Sequence, residues 1–182
     1  MALRHGFKAE ANRLAVQMRK ELGIAPSAPL APARLAEHLM IPIKTFSSAI
    51  AEDSRVGVLL GPEKEAVSAL TVHLGSRRVI WVNDSHEPAR QNSSVNHEAA
   101  HALLQHPPGP ALDVRGCRHW DGEVEEEADW LAGNLLITNE AAWSITRRRM
   151  TKDSAMLQYG VSDKMLTWRL NMSGAFARNR SA

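Results

Sequence analysis

The chain has 182 residues, 44% of them apolar and 23% charged, with a formal net charge of +2. Such a composition builds one globular domain with a real core and argues against disorder, and its charge is too mild to imply a nucleic acid or a membrane surface as partner. The single cysteine, Cys117, excludes an intrachain disulfide; no signal-type leader and no run near the roughly 18 apolar residues of a membrane span occurs, so the expected setting is the cytoplasm.

In chain order, residues 10–22 place Ala11, Leu14, Ala15, Met18 and Leu22 at the spacing of a one-sided helix, with Gly23 where a cap belongs. A Pro- and Ala-rich connector follows at 26–32, then a short helix at 33–40. Four short runs, 41–46, 55–60, 67–73 and 78–82, are partly β-branched and separated by Ser, Gly-Pro and Gly-Ser, which predicts a small, largely antiparallel sheet. An edge strand beside a catalytic site could align an extended peptide through its backbone. His73 and His86 lack ligand spacing to another His, Cys or carboxylate and read as surface or structural residues.

The segment NHEAAHALLQH, residues 96–106, contains His97, Glu98 and His101 in the order His-Glu-x-x-His. Ser93 and Ser94 suit a helix start, Val95, Ala99, Ala102 and Leu103 give an apolar stripe, and Pro107-Pro108 end the segment. Two histidines four apart stack on one helix face, so both imidazoles can reach one ion. Glu98, about 100° around the helix from His97, suits a general base rather than a third ligand. With one cysteine, further ligands must be histidine or carboxylate.

A loop containing Gly and Pro runs to about residue 122, and a helix is predicted over 123–137 with Val124, Ala128, Leu131 and Leu135 as its buried stripe. By 100° stepping Glu127 lies about 70° from the stripe centre, Glu125 about 90° and Glu126 nearly opposite, so Glu127 is the expected third ligand. Glu123 and Glu126 suit a solvated acidic first turn. A helix over 141–150 ends in Arg147, Arg148 and Arg149, and a Gly160 turn with Ser162 as cap makes 157–174 helix-turn-helix-like. Only Lys164 and Arg169 are cations on its second helix, too sparse for DNA reading. The tail from Phe176 is expected to be loose. His119 and Tyr159 are candidate donors to a developing oxyanion.

Three pieces of this sequence resemble the ImmA/IrrE family of small gluzincin-type metallopeptidases. NHEAAHALLQH is similar to the family's His-Glu-x-x-His helix, EADWLAGNLLI to its Glu-Ala-x-x-Phe-Ala-x-x-Leu-Leu helix, and YGVSDKMLTWRL to its C-terminal closure; RVIWVN resembles the strand before the site. The resemblance covers roughly residues 78–174. It implies His97, His101 and Glu127 as metal ligands, Glu98 as the catalytic residue, and helix-turn-helix repressors of mobile elements or stress regulons as substrates. Ala100, Leu131 and Thr138 depart from residues common in the family, and none of them removes a ligand.

The expected architecture is α+β: a small antiparallel sheet packed with the motif helix and a helical C-terminal part. One domain spans 1–182, with a helix-sheet core carrying the site in 1–140 and a helical closure in 141–182. The expected activity is zinc-dependent endopeptidase cleavage of a specific protein, with Mn2+ or Fe2+ compatible with the same ligands. The competing reading is a metal-stabilised binding module that sequesters a repressor without cutting it.

Overall fold

The structure is a computed structural model that describes residues 3–52, 54, 67–75, 77–107 and 122–180. Its described elements run α1 (Phe7–Glu21), α2 (Pro32–His38), β1 (Ile43–Thr45), α3 (Phe46–Glu52), β2 (Ala69–Leu74), β3 (Arg77–Val82), α4 (Pro88–Leu103), α5 (Gly122–Leu136), α6 (Asn139–Arg147), α7 (Lys152–Tyr159), α8 (Asp163–Met172) and α9 (Ala175–Arg180). None of the described helices is long and apolar enough to cross a membrane.

The α+β class is as expected, and the sheet corrects its pairing. Its order is β1-β3-β2, with β2 antiparallel to β3 but β1 parallel to it. The β2-β3 hairpin turns at Gly75, whose positive φ suits glycine. The strand expected at 55–60 lies outside the described residues. The run at 41–46 yields a three-residue strand, because Phe46 begins α3 and is buried there.

Helix α4 also begins earlier than its serines suggest. Pro88 opens it, where a missing N–H costs nothing, and Ser94 sits inside the helix with its hydroxyl donating to the Arg90 carbonyl. α4 is packed on two sides. Val95 joins Ile41, Ala69, Ile80 and Val82 under the sheet, while Ala99 and Ala100 pack with Ala128, Leu131 and Ala132 of α5 and with Phe7, Ala11 and Ala15 of α1. Small side chains on both helices let their backbones approach closely, which brings the polar residues flanking the seam within reach of one another.

α5 is the central helix, in contact with α1, α4 and α8. Its last carbonyls are satisfied inside the protein: Arg19 of α1 donates to Leu135 and Leu136, and Arg169 of α8 donates to Ile137. Both guanidiniums are fully buried. Burial pulls each down to about 10, which still leaves it protonated at neutral pH.

The C-terminal helices form a second core around Leu136, Ile137, Ala141, Ile145, Tyr159 and Leu166. α7 ends at Gly160 in the left-handed conformation, and the Ser162 hydroxyl caps α8 by accepting from the Met165 N–H. Asn92 of α4 donates to the Gly160 carbonyl and ties this turn to the motif helix. Residues 175–180 form α9 rather than a loose tail, with Ala175 buried against the second core.

Candidate metal centre

His97 and His101 occupy one face of α4, as their spacing requires, and their Nε2 atoms lie 3.0 Å apart. Glu125, in the first turn of α5, brings Oε2 to 3.2 Å from His97 Nε2 and 3.7 Å from His101 Nε2. Among the described residues these three form the one group of ligand atoms close enough to share an ion. Tetrahedral ligands at the roughly 2.0–2.1 Å bonds of zinc stand about 3.4 Å from one another, so the observed separations fit such an ion.

The donor chemistry fits as well. Two imidazole nitrogens and a carboxylate oxygen crowd their lone pairs into one spot, which is stable only if a cation or a shared proton sits among them. Burial opposes charge on His97, but hydrogen bonds to Asp129 and Glu125 outweigh it and lift the imidazole to about 10. His101 and His97 in turn hold the Glu125 carboxyl well below the ordinary carboxylate range.

The expected third ligand, Glu127, is not in this group. Its Oε1 accepts from Arg4 Nε at 2.7 Å, and its Oε2 is 3.7 Å from His106 Nε2. The reason lies in the packing of α5. Stepping from one apolar stripe assumes one buried direction, whereas α5 is covered by α4 on one side and α1 on another. Glu125 and Asp129, one turn apart, face His97; Glu127 is turned towards Arg4, which precedes α1.

The surrounding residues orient the two imidazoles. Asp129 Oδ1 lies 2.8 Å from His97 Nδ1, so a proton on Nδ1 leaves Nε2 free to bind metal. His101 Nδ1 is 3.0 Å from Nδ1 of His106. Burial, with the nearby His101 adding to it, lowers the His106 pKa.

Glu98 is 9% exposed and so shielded from bulk water, and one of its oxygens accepts a hydrogen bond from the Thr71 hydroxyl on β2. Among the described residues β2 lies at an edge of the sheet, with β3 in the middle. Tyr159 is not brought to the site: its hydroxyl donates to the Ser27 carbonyl at 2.9 Å and its ring belongs to the second core. His119 and Cys117 lie outside the described residues. Glu125, Asp129, His106 and Thr71 were missed in the sequence, although the Glu125/Asp129 pair at i, i+4 was a usable signal.

No curated protein matches the chain. Residues 51–171 match the peptidase M78 family, described as the IrrE N-terminal-like domain, and that span includes β2, β3, α4 and α5 with the two histidines, Glu98 and Glu125. A His-Glu-x-x-His helix whose histidines meet a carboxylate from a second helix is what a metallopeptidase of that kind requires, and the chain belongs to the peptidase M78 family.

Proposed function

We propose that the chain is a zinc-dependent endopeptidase that cuts one peptide bond in a specific protein, a helix-turn-helix repressor of a mobile element or stress regulon. The observation that carries the catalytic part is the convergence of His97 Nε2, His101 Nε2 and Glu125 Oε2 one residue away from a shielded, oriented Glu98. His97, His101 and Glu125 would hold the ion. When bound, zinc acidifies water and polarises a carbonyl.

Glu98 takes the proton from the attacking water and passes it to the amide nitrogen as the C–N bond breaks. Thr71 holds one carboxylate oxygen and keeps the side chain in place for both transfers. Among the described residues β2 is an edge strand, which supports an extended peptide as substrate, because a strand edge beside Glu98 can pair with a peptide backbone. The repressor as partner is supported by the family resemblance. The DNA-binding reading loses support, since Arg169 is buried against α5 and leaves Lys164 as the exposed cation of α8.

The test is co-expression with helix-turn-helix repressors encoded beside its gene. Wild-type protein should yield repressor fragments, and Glu98→Gln should retain zinc while losing cleavage by about 10²–10⁴-fold. An intact repressor held equally by both proteins would favour the sequestering module instead.

A further inference from the structure

The described residues continue outward from His101 in a line. His101 presents Nε2 to His97 and Glu125, and its other ring nitrogen lies 3.0 Å from His106 Nδ1. His106 Nε2 faces Glu127 Oε2 at 3.7 Å, an ion-pair contact rather than a formed hydrogen bond. The other Glu127 oxygen accepts from Arg4 Nε at 2.7 Å, and both Arg4 terminal nitrogens donate to Glu10 at 2.8 Å. His106 and Glu127 are mostly shielded, with side chains 10% and 17% exposed.

We propose that His106, backed by Glu127 and Arg4, is a positioning residue for His101 that selects the ring form able to bind metal and ties the metal's affinity to the N-terminal segment. This rests on the reading of His101 as a ligand.

A neutral imidazole has one N–H and one lone pair. If His101 presents its Nε2 lone pair to an ion, its proton must be on Nδ1. The atom across from that proton, His106 Nδ1, must then accept, which puts the His106 proton on Nε2, facing the Glu127 carboxylate. Each assignment follows from the previous one, and the carboxylate at the end favours the whole set electrostatically. The reverse arrangement would aim an N–H from His101 into the ligand cluster and place a bare His106 nitrogen against Glu127. Arg4 orients Glu127, so a residue outside the His-Glu-x-x-His motif and upstream of α1 acts on the centre. The same arrangement explains why Glu127 sits beside the site without joining its ligand atoms.

The experiment measures zinc affinity of the full chain by chelator competition, with thermal unfolding of each variant in parallel. His106→Leu fills space but cannot accept, whereas the His106→Asn carboxamide oxygen can stand where Nδ1 stands. His106→Leu should bind zinc about 10–100-fold more weakly, as loss of an outer partner does elsewhere, and His106→Asn should recover most of that loss. Glu127→Gln, and to a smaller extent Arg4→Gln, should weaken binding in the same direction. Glu125→Ala separates the two ideas, because it should remove binding while wild type retains it. Equal affinity of His106→Leu and wild type, or no recovery in His106→Asn, overturns the relay and leaves the ligand reading intact. Loss of zinc in Glu127→Ala but not in Glu125→Ala would make Glu127 the ligand and also overturn it. A wild-type chain that takes up no zinc overturns both.

Discussion

Gly133 lies on α5, and a Cβ placed there would stand 2.2 Å from Cζ3 of Trp168, 3.0 Å from Cη2 and 3.1 Å from Cδ of Arg169. Ordinary carbon contacts are about 3.5–4.0 Å, so in Gly133→Ala the indole must retreat by more than about 1 Å. The ring is rigid and already packs edge-on against Trp130 at 5.2 Å, and the next residue, Arg169, is held by carbonyl and amide oxygens at the end of α5. Overpacking of this kind costs about 1–3 kcal/mol, and loss of the aromatic pair adds about 0.5–1.5. Replacing glycine within a helix returns about 1 kcal/mol. The expected net effect is a destabilisation of about 0.5–3.5 kcal/mol, seen in urea as a lower midpoint at unchanged slope. In a Trp168→Ala background the indole clash is gone and only the 3.1 Å approach to Arg169 Cδ remains, so the same substitution should cost less than in the wild-type chain, or stabilise by up to about 1 kcal/mol. Stabilisation of the wild-type chain by Gly133→Ala, or additivity of the two substitutions within about 0.5 kcal/mol, would refute a steric conflict at this position.

Arg19→Met keeps bulk but leaves the carbonyls of Ala15, Ala28, Leu135 and Leu136 without that donor, and should cost about 3 kcal/mol in urea unfolding. Asp129→Asn should weaken zinc about tenfold in chelator competition. Stripping the metal with a chelator should lower the thermal midpoint, since an ion at a thousand times its dissociation constant contributes about 4 kcal/mol to the folded state. Glu125→Ala should show no chelator-dependent shift in the same scan.

The motif helix was legible because its signals are local. The four-residue spacing of His97 and His101 and the apolar period of Val95, Ala99 and Ala102 are properties of one helix, and the structure keeps them. Its start was misplaced because Pro88 does the work that Ser93 and Ser94 seemed suited to, and a proline in the first turn is easily taken for loop. The third carboxylate depends on which neighbours cover α5. Four glutamates within five residues offer nearly every direction around that helix, and only the joint placement of α1 and α4 decides that Glu125 meets His97 while Glu127 meets Arg4. The parallel pairing of β1 with β3 is likewise long-range, joining Ile43 to Ile80, and no turn signal specifies it.

The same central helix shows how distant residues hold the centre in place. Glu123 and Glu125 sit in the first turn of α5, where the partial positive charge of the helix favours anions, and Arg19 and Arg169 bind its last carbonyls, where cations are favoured. Glu125 lies 11 positions before Leu136, about 16 Å along the axis. A helix is stiff over that distance, so a clamp at its C-terminal end from α1 and α8 limits how far the Glu125 backbone can tilt away from the histidines of α4. Apposing ligands on two separate helices is costly when either can move, and two buried guanidiniums are costly to desolvate. Here hydrogen bonds from the two guanidiniums to the last carbonyls compensate their desolvation and fix the buried end of α5, which holds its acidic end against the histidines of α4.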